Sequence, residues 1–230
     1  MSGMAAPAVF FDLDGTLVDT TYLHAYAWWR ALDEAGETRP MAAVHPLIGM
    51  DGSGILRTLL GRDDQAVSDA HAEHFSELHP LVRALPGAQT VLGRVAATGG
   101  RVVIVTSAKQ RDLGALLGAL DCDDLIADVV GGDDVERAKP APDPFGVALR
   151  RTGADPASSL AVGDSVWDVQ AAAKVGMACI GLQTGGIAAA DLAGAGAVAT
   201  YRDLPELLGR WASSPLAAVL DGAVLEGGGR

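Results

Sequence analysis

Between residues 101 and 200 short apolar, β-branched runs recur, and helical patterns separate them. Residues 101–106 read RVVIVT; further runs fall at 125–130, 160–163 and 178–182, with a shorter one at 197–200. Residues 110–120 read as a helix, and 169–175 as another closed by Gly176. A third begins with Asp143 as its N-cap and Pro144 at the first helical position, and runs to about Thr152. Strands in such a series lie parallel, and each crosses to the next through a helix on one face or the other. The runs do not alternate with polar residues, which fits strands buried on both faces. The fold class expected is α/β, a doubly wound, parallel, Rossmann-like sheet.

A first strand stands apart, at residues 9–14. It is followed by about sixty residues of helical pattern, from Thr20 to Arg83, before the alternation begins past Leu85-Pro86-Gly87. In that stretch Tyr22, Tyr26 and Trp29 recur at i, i+4, i+7, which suits one amphipathic helix. Ile55, Leu56, Leu59 and Leu60 suggest a second, and the glycine-rich residues 49–54 read as a loop. The organisation expected is a core of residues 1–19 and 84–230 with a helical cap of residues 20–83. An insertion directly after the first strand sits over that strand's carboxyl end, where open α/β sheets bind ligands. Residues 1–7 read as a loose leader and those from 221 onward as a frayed end.

The first strand ends in Asp12-Leu13-Asp14-Gly15. Side chains at i and i+2 share a face of a strand. Two carboxylates brought together there repel, and a metal, a shared proton or chemistry must account for them. Three more polar features fall at predicted strand ends: Thr106 and Ser107, then Lys139 in Ala138-Lys139-Pro140, then Gly163-Asp164-Ser165 followed by Asp168. A parallel sheet places all these ends along one edge, so a shared crevice follows from topology.

The series Asp-x-Asp-Gly-Thr, Thr-Ser after an apolar strand, Lys-Pro, and Gly-Asp-Ser-x-x-Asp resembles the haloacid dehalogenase superfamily. More narrowly it is similar to the phosphatase and phosphomutase branch, the phosphoglycolate phosphatase and β-phosphoglucomutase type, whose helical cap follows the first motif. The resemblance implies a hydrolase of phosphomonoesters. Asp12 is then the nucleophile that forms an aspartyl-phosphate. Asp14 is the acid for the leaving alkoxide and afterwards the base for water, with a pKa lifted by the neighbouring carboxylates. Asp12 and Asp164, with the Asp14 carbonyl, make a hard-oxygen site that suits Mg²⁺, and Asp168 orients a metal-bound water or the lysine. Thr106, Ser107 and Lys139 are the phosphate-binding candidates, and Arg57 in the cap a substrate-binding one. A phosphomutase needs the same core plus cap cations for a second phosphate. The cap offers Arg30, Arg39, Arg57 and Arg62, with Arg83 at its edge, which leans toward hydrolysis. Dehalogenation would leave Asp14 and Asp164 idle, and phosphonate cleavage needs a cap lysine that this sequence lacks. A phospho-accepting signalling module is the remote alternative. The partner implied is a small phosphorylated metabolite, with glycolate and sugar phosphates as the family's usual substrates.

Charge and length set the remaining expectations. A net charge of −12 argues against nucleic acid as a partner. No apolar run is long enough for a membrane span, and the first residues do not read as a signal peptide. A cytoplasmic monomer or homodimer is expected. Cys122 and Cys179 read as ordinary thiols, at least one of them buried. All five histidines lie in the cap, where a polar surface is expected; His71 and His74, at i, i+3, are the pair that could seed a metal site.

Overall fold

The computed structural model describes residues 6–224. Most of the predicted leader and frayed end therefore lie outside the described residues. Six strands form one parallel sheet: β1 (Ala8–Phe11), β2 (Arg101–Val105), β3 (Ile126–Val130), β4 (Ser159–Gly163), β5 (Ala178–Leu182) and β6 (Ala199–Tyr201). Their order is β3-β2-β1-β4-β5-β6. β1 therefore lies in the middle, with Phe11 in register with Ile104 on one side and Val162 on the other. The order reverses between β1 and β4, and such a switch point opens a crevice at the strands' carboxyl ends.

Both faces of the sheet are covered, as the unbroken apolar runs require. Val9 and Phe11 pack against α5 (Ala88–Ala97), α6 (Gln110–Leu120), α10 (Leu204–Gly209) and α11 (Pro215–Leu220). Ala8 and Phe10 face the other way, toward α7 (Asp143–Thr152), α8 (Val166–Lys174) and α9 (Ala189–Gly194). The Phe10 ring meets Phe145 edge-on at 6.4 Å. Among these elements α5, α9, α10 and α11 are not foreseen by the sequence patterns described above. The predicted helix at 143–152 starts one residue early: Pro142 is the N-cap and Asp143 already helical, where its charge faces the helix dipole.

Residues 20–83 carry α1 (Thr21–Glu34), α2 (Met41–Val44), α3 (Gly52–Leu60) and α4 (Gln65–Leu78). Ala25, Trp28, Ala31, Leu32, Val44, Ile48, Ile55, Leu56 and Val67 form an apolar cluster of their own. Two expectations are corrected here. The stripe Tyr22-Tyr26-Trp29 is not the buried face of α1; Ala25, Trp28, Ala31 and Leu32 are, and Tyr22 is 56 % exposed. Small alanines let α1 approach α4 closely, and the aromatic stripe is left outside. The 49–54 loop is also shorter than expected, because Asp51 accepts a hydrogen bond from the Gly54 N–H at 2.9 Å and starts α3 at Gly52. A good N-cap outweighs the loop preference of two glycines.

Three hydrogen bonds tie the segment 45–49 to core loops. His45 Nε2 donates to the Gly185 carbonyl at 2.8 Å, Trp167 Nε1 to the Pro46 carbonyl at 3.3 Å, and Ser107 Oγ to the Gly49 carbonyl at 3.1 Å.

Candidate active site

The carboxyl ends of β1, β2 and β4 converge on a cluster of buried charge. Asp12 follows β1 directly, and its N–H donates to the Val162 carbonyl of β4, which fixes where the side chain leaves the sheet. Lys139 is 1 % exposed. Its Nζ lies 2.6 Å from Asp12 Oδ1, 2.7 Å from Asp168 Oδ1 and 2.7 Å from the Val105 carbonyl. Two of its hydrogens go to Asp12 and the Val105 carbonyl, and Asp168 Oδ1 meets the charge as an ion pair. Asp168 spends its other oxygen on Ser165, accepting from the hydroxyl at 2.6 Å and from the backbone N–H at 3.2 Å. That capping box starts α8 and locks the Asp168 rotamer at once.

Asp164 is held from the other side. Thr16 Oγ1 donates to Oδ1 at 2.9 Å and Thr21 Oγ1 to Oδ2 at 3.5 Å. Glycines at 15 and 185 close over it; a Cβ on either would overlap Asp164 Oδ2. Carboxylate oxygens of Asp12, Asp164 and Asp168 all lie within 4.8 Å of one another. Burial pushes Asp12 up, the Lys139 charge pulls it back, and Asp168 and Asp14 add repulsion; it comes to rest at about 7. Burial, then Asp12 and Asp168, drive Asp164 well above the usual carboxylate range. Burial would lower Lys139, but Asp12 and Asp168 outweigh it and raise it. One ammonium thus stands among three buried carboxyls, all of them hard oxygen donors. That donor set and charge deficit fit a divalent cation.

Asp14 behaves differently from the expectation. Thr20 Oγ1 donates to its Oδ1 at 2.7 Å, His24 Nε2 reaches the same oxygen at 3.3 Å, and Thr106 Oγ1 donates to Oδ2 at 3.1 Å. Burial pushes the Asp14 carboxyl up, but the hydrogen bond and charge of His24, with the two hydroxyls, hold it below its ordinary value. The expected lift by neighbouring carboxylates is therefore corrected. It falls on Asp12 and Asp164 instead, because Asp14 is turned away from them toward donors.

A cavity of about 250 Å³ opens over Asp12 and Asp14. Trp28, Gly49, Gln65, Ser68 and His71 line it from the helical segment; Ser107, Lys109 and Arg111 line it from the loop into α6. Thr106, beneath it, donates to Asp14 and accepts from the Ala108 N–H at 3.0 Å, so its hydroxyl braces the loop. Arg57 stands outside this cavity, paired with Asp63 at 3.1 Å on the solvent side of α3. Sequence patterns assign no role to His24, Thr20, Lys109 and Arg111, nor to Thr16 beyond its place in the first motif. Thr16 and Thr20 had a signal, since both sit within eight residues of Asp12. His24 had only its place on the first turns of α1.

The histidines are not a polar surface. His74 is buried and pairs with Glu34 at 2.8 Å. His71 stacks on Trp28, ring centroids 4.0 Å apart, and touches His24 rather than a metal partner on its own helix. Burial, with the nearby cations, holds His71 well below its ordinary value.

The family model described as haloacid dehalogenase-like hydrolase matches residues 9–182 of this chain. The chain belongs to that family. This haloacid dehalogenase-like hydrolase is 35 % identical over 190 residues to the phosphoglycolate phosphatase of Pseudomonas putida strain KT2440, covering 77 % of this chain and 69 % of the relative. It is 34 % identical over 224 residues to the phosphoglycolate phosphatase of Rhodospirillum rubrum, covering 90 % and 91 %. Among solved structures a hydrolase from Pseudomonas syringae superposes with a TM-score of 0.85 at 33 % identity, over 90 % of this chain and 98 % of that one. Among the described residues of this hydrolase, no helix is long and apolar enough to cross a membrane.

Proposed function

We propose that this hydrolase is a Mg²⁺-dependent phosphatase of a small phosphomonoester, with phosphoglycolate as the first substrate to test. The observation that carries the reading is Asp12, a buried carboxylate at a cavity floor, flanked by one ammonium and by carboxyls that want a cation. Asp12 attacks phosphorus in line with the leaving oxygen, and an aspartyl-phosphate forms on its side chain. Its donors keep Asp14 ionised before substrate arrives; it takes up a proton as the phosphate anion binds beside it, gives that proton to the leaving alkoxide, and later takes one from the attacking water. His24 and Thr20 hold Asp14 on one oxygen and Thr106 on the other, so that it keeps one place through both steps.

Asp12, Asp164 and the Asp14 carbonyl would hold the metal, and Asp168 serves by aiming Lys139. Mg²⁺ would supply charge neutralisation for the phosphate oxygens and for the crowded carboxylates. Lys139 compensates Asp12 from behind, with Asp168 as its second counter-charge. Lys109 and Arg111 stand at the cavity for a second anionic group, such as a carboxylate. The cavity's size favours a substrate of few atoms.

Residues 20–83 act as a cap in this reading, closing over the substrate and excluding bulk water. The phosphomutase alternative is weakened by the cap arginines. Arg30, Arg39, Arg57 and Arg62 each pair with a carboxylate, and none lines the cavity. The two cysteines, both buried and free, accord with a cytoplasmic protein. Phosphate release from a panel of phosphomonoesters tests the whole. Turnover that requires Mg²⁺ and vanishes in Asp12→Asn is expected; metal-independent turnover, or none on any ester, would overturn the reading.

A further inference from the structure

Behind Asp14 runs a chain of two imidazoles that phosphate chemistry does not explain. His24 Nε2 faces Asp14 Oδ1 at 3.3 Å, and His24 Nδ1 faces His71 Nε2 at 3.3 Å. The His24 ring lies flat on Phe75, centroids 3.7 Å apart and planes 18° apart. That stacking fixes the plane of the ring but not its sense. Half a turn about the outer torsion keeps the plane, exchanges Nδ1 with a carbon, and takes Nε2 off Asp14. A hydrogen bond at Nδ1 is what distinguishes the two senses. His71 makes that bond, and its own ring is clamped on Trp28 with planes 11° apart.

We propose that His71 is a positioning residue, which through His24 holds Asp14 where it can protonate the leaving oxygen. This rests on the reading of Asp14 as the general acid. One hydrogen bond joins His24 Nδ1 to His71 Nε2, and whichever ring donates it, the bond holds the sense of the His24 ring that keeps Nε2 on Asp14. The low proton affinity that burial gives His71 keeps it neutral, so its spare nitrogen brings no charge into the chain. Trp28, His71 and Phe75 come from two helices, so the packing of α1 on α4 sets the aim of the acid.

The test compares two esters in one variant. Phosphoglycolate releases a poor alkoxide and needs the acid; acetyl phosphate, of similar size, releases a carboxylate that does not. Their ratio of kcat/KM is independent of how much enzyme is folded. In His71→Phe, which keeps a ring on Trp28, kcat/KM on phosphoglycolate should fall about 10- to 100-fold, a part of the roughly 10²–10⁴-fold that a general acid contributes. On acetyl phosphate it should fall less than about threefold, since no proton is needed there. His71→Gln, whose amide nitrogen can reach the Nε2 position, should restore most of the loss. Equal losses on both esters, or no loss, would overturn the role of His71, provided Asp14→Asn still loses phosphoglycolate selectively. Equal losses in Asp14→Asn would overturn the acid itself, and the proposal with it.

Discussion

Lys139 touches Asp12, Asp168 and a backbone carbonyl, and it is the cation on which that buried cluster closes. Replacing it with Met would leave three buried carboxyls without their ammonium. Removing one partner of a buried ion cluster costs on the order of 3–5 kcal/mol. Lys139→Met should therefore shift the urea midpoint down sharply, and added Mg²⁺ should recover part of the loss. Asp12→Asn has the opposite character, since it relieves repulsion while deleting the proposed nucleophile. Its midpoint should move by less than that of Lys139→Met, while phosphate release drops by about 10³ or more, as loss of a covalent nucleophile requires.

At the scale of elements, the loop after β5 and the segment 45–49 matter most. Gly185 touches Asp164 through the space a side chain would fill, and its carbonyl accepts from His45. Gly185→Ala must push Asp164 out of place. If Asp164 holds the cation as proposed, about a tenfold rise in the Mg²⁺ concentration for half-maximal activity is expected, the usual result of disturbing a metal ligand's support. A Mg²⁺ titration of activity would show it, with circular dichroism unchanged. His45→Ala removes one of the three hydrogen bonds between residues 45–49 and the core loops. If residues 20–83 close as a cap, KM should rise by about three- to tenfold, since one hydrogen bond contributes roughly 0.5–1.5 kcal/mol. A steady-state titration of substrate reads this directly.

At the scale of the whole molecule, the carboxyl cluster ties stability to pH and metal. Asp12 sits at about 7 in the folded protein against an ordinary 3.8. A folded-state pKa above the unfolded value favours the folded form below the unfolded pKa. That advantage is lost as pH rises from about 4 to about 7, through the window between the two values. Asp164 is displaced in the same direction. Without metal, stability should therefore fall over this window. The loss is on the order of 4 kcal/mol if Asp12 alone titrates across the whole of it. Mg²⁺ should raise the melting temperature more at pH 8 than at pH 5. An equal rise at both pH values would show that the cluster is not where the cation binds.

The parallel sheet, the burial of both its faces and the meeting of Asp12, Thr106, Lys139 and Asp164 at one edge were legible in the sequence. Each rests on a local pattern: an unbroken apolar run makes a two-sided buried strand, and parallel strands point their ends one way. What the residues at those ends do with one another was not legible. That Lys139 stands between Asp12 and Asp168, that Asp14 turns to His24 and away from the other acids, and that Arg57 points to solvent are matters of direction, set by packing between segments far apart in the chain. The reversed face of α1 shows the same limit. Periodicity reports that a helix has two faces, but only the alanines' fit against α4 decided which was buried. Sequence determines which groups share an edge, because strand geometry is local; the tertiary structure alone decides which of them touch, because a hydrogen bond depends on ångströms that no spacing encodes.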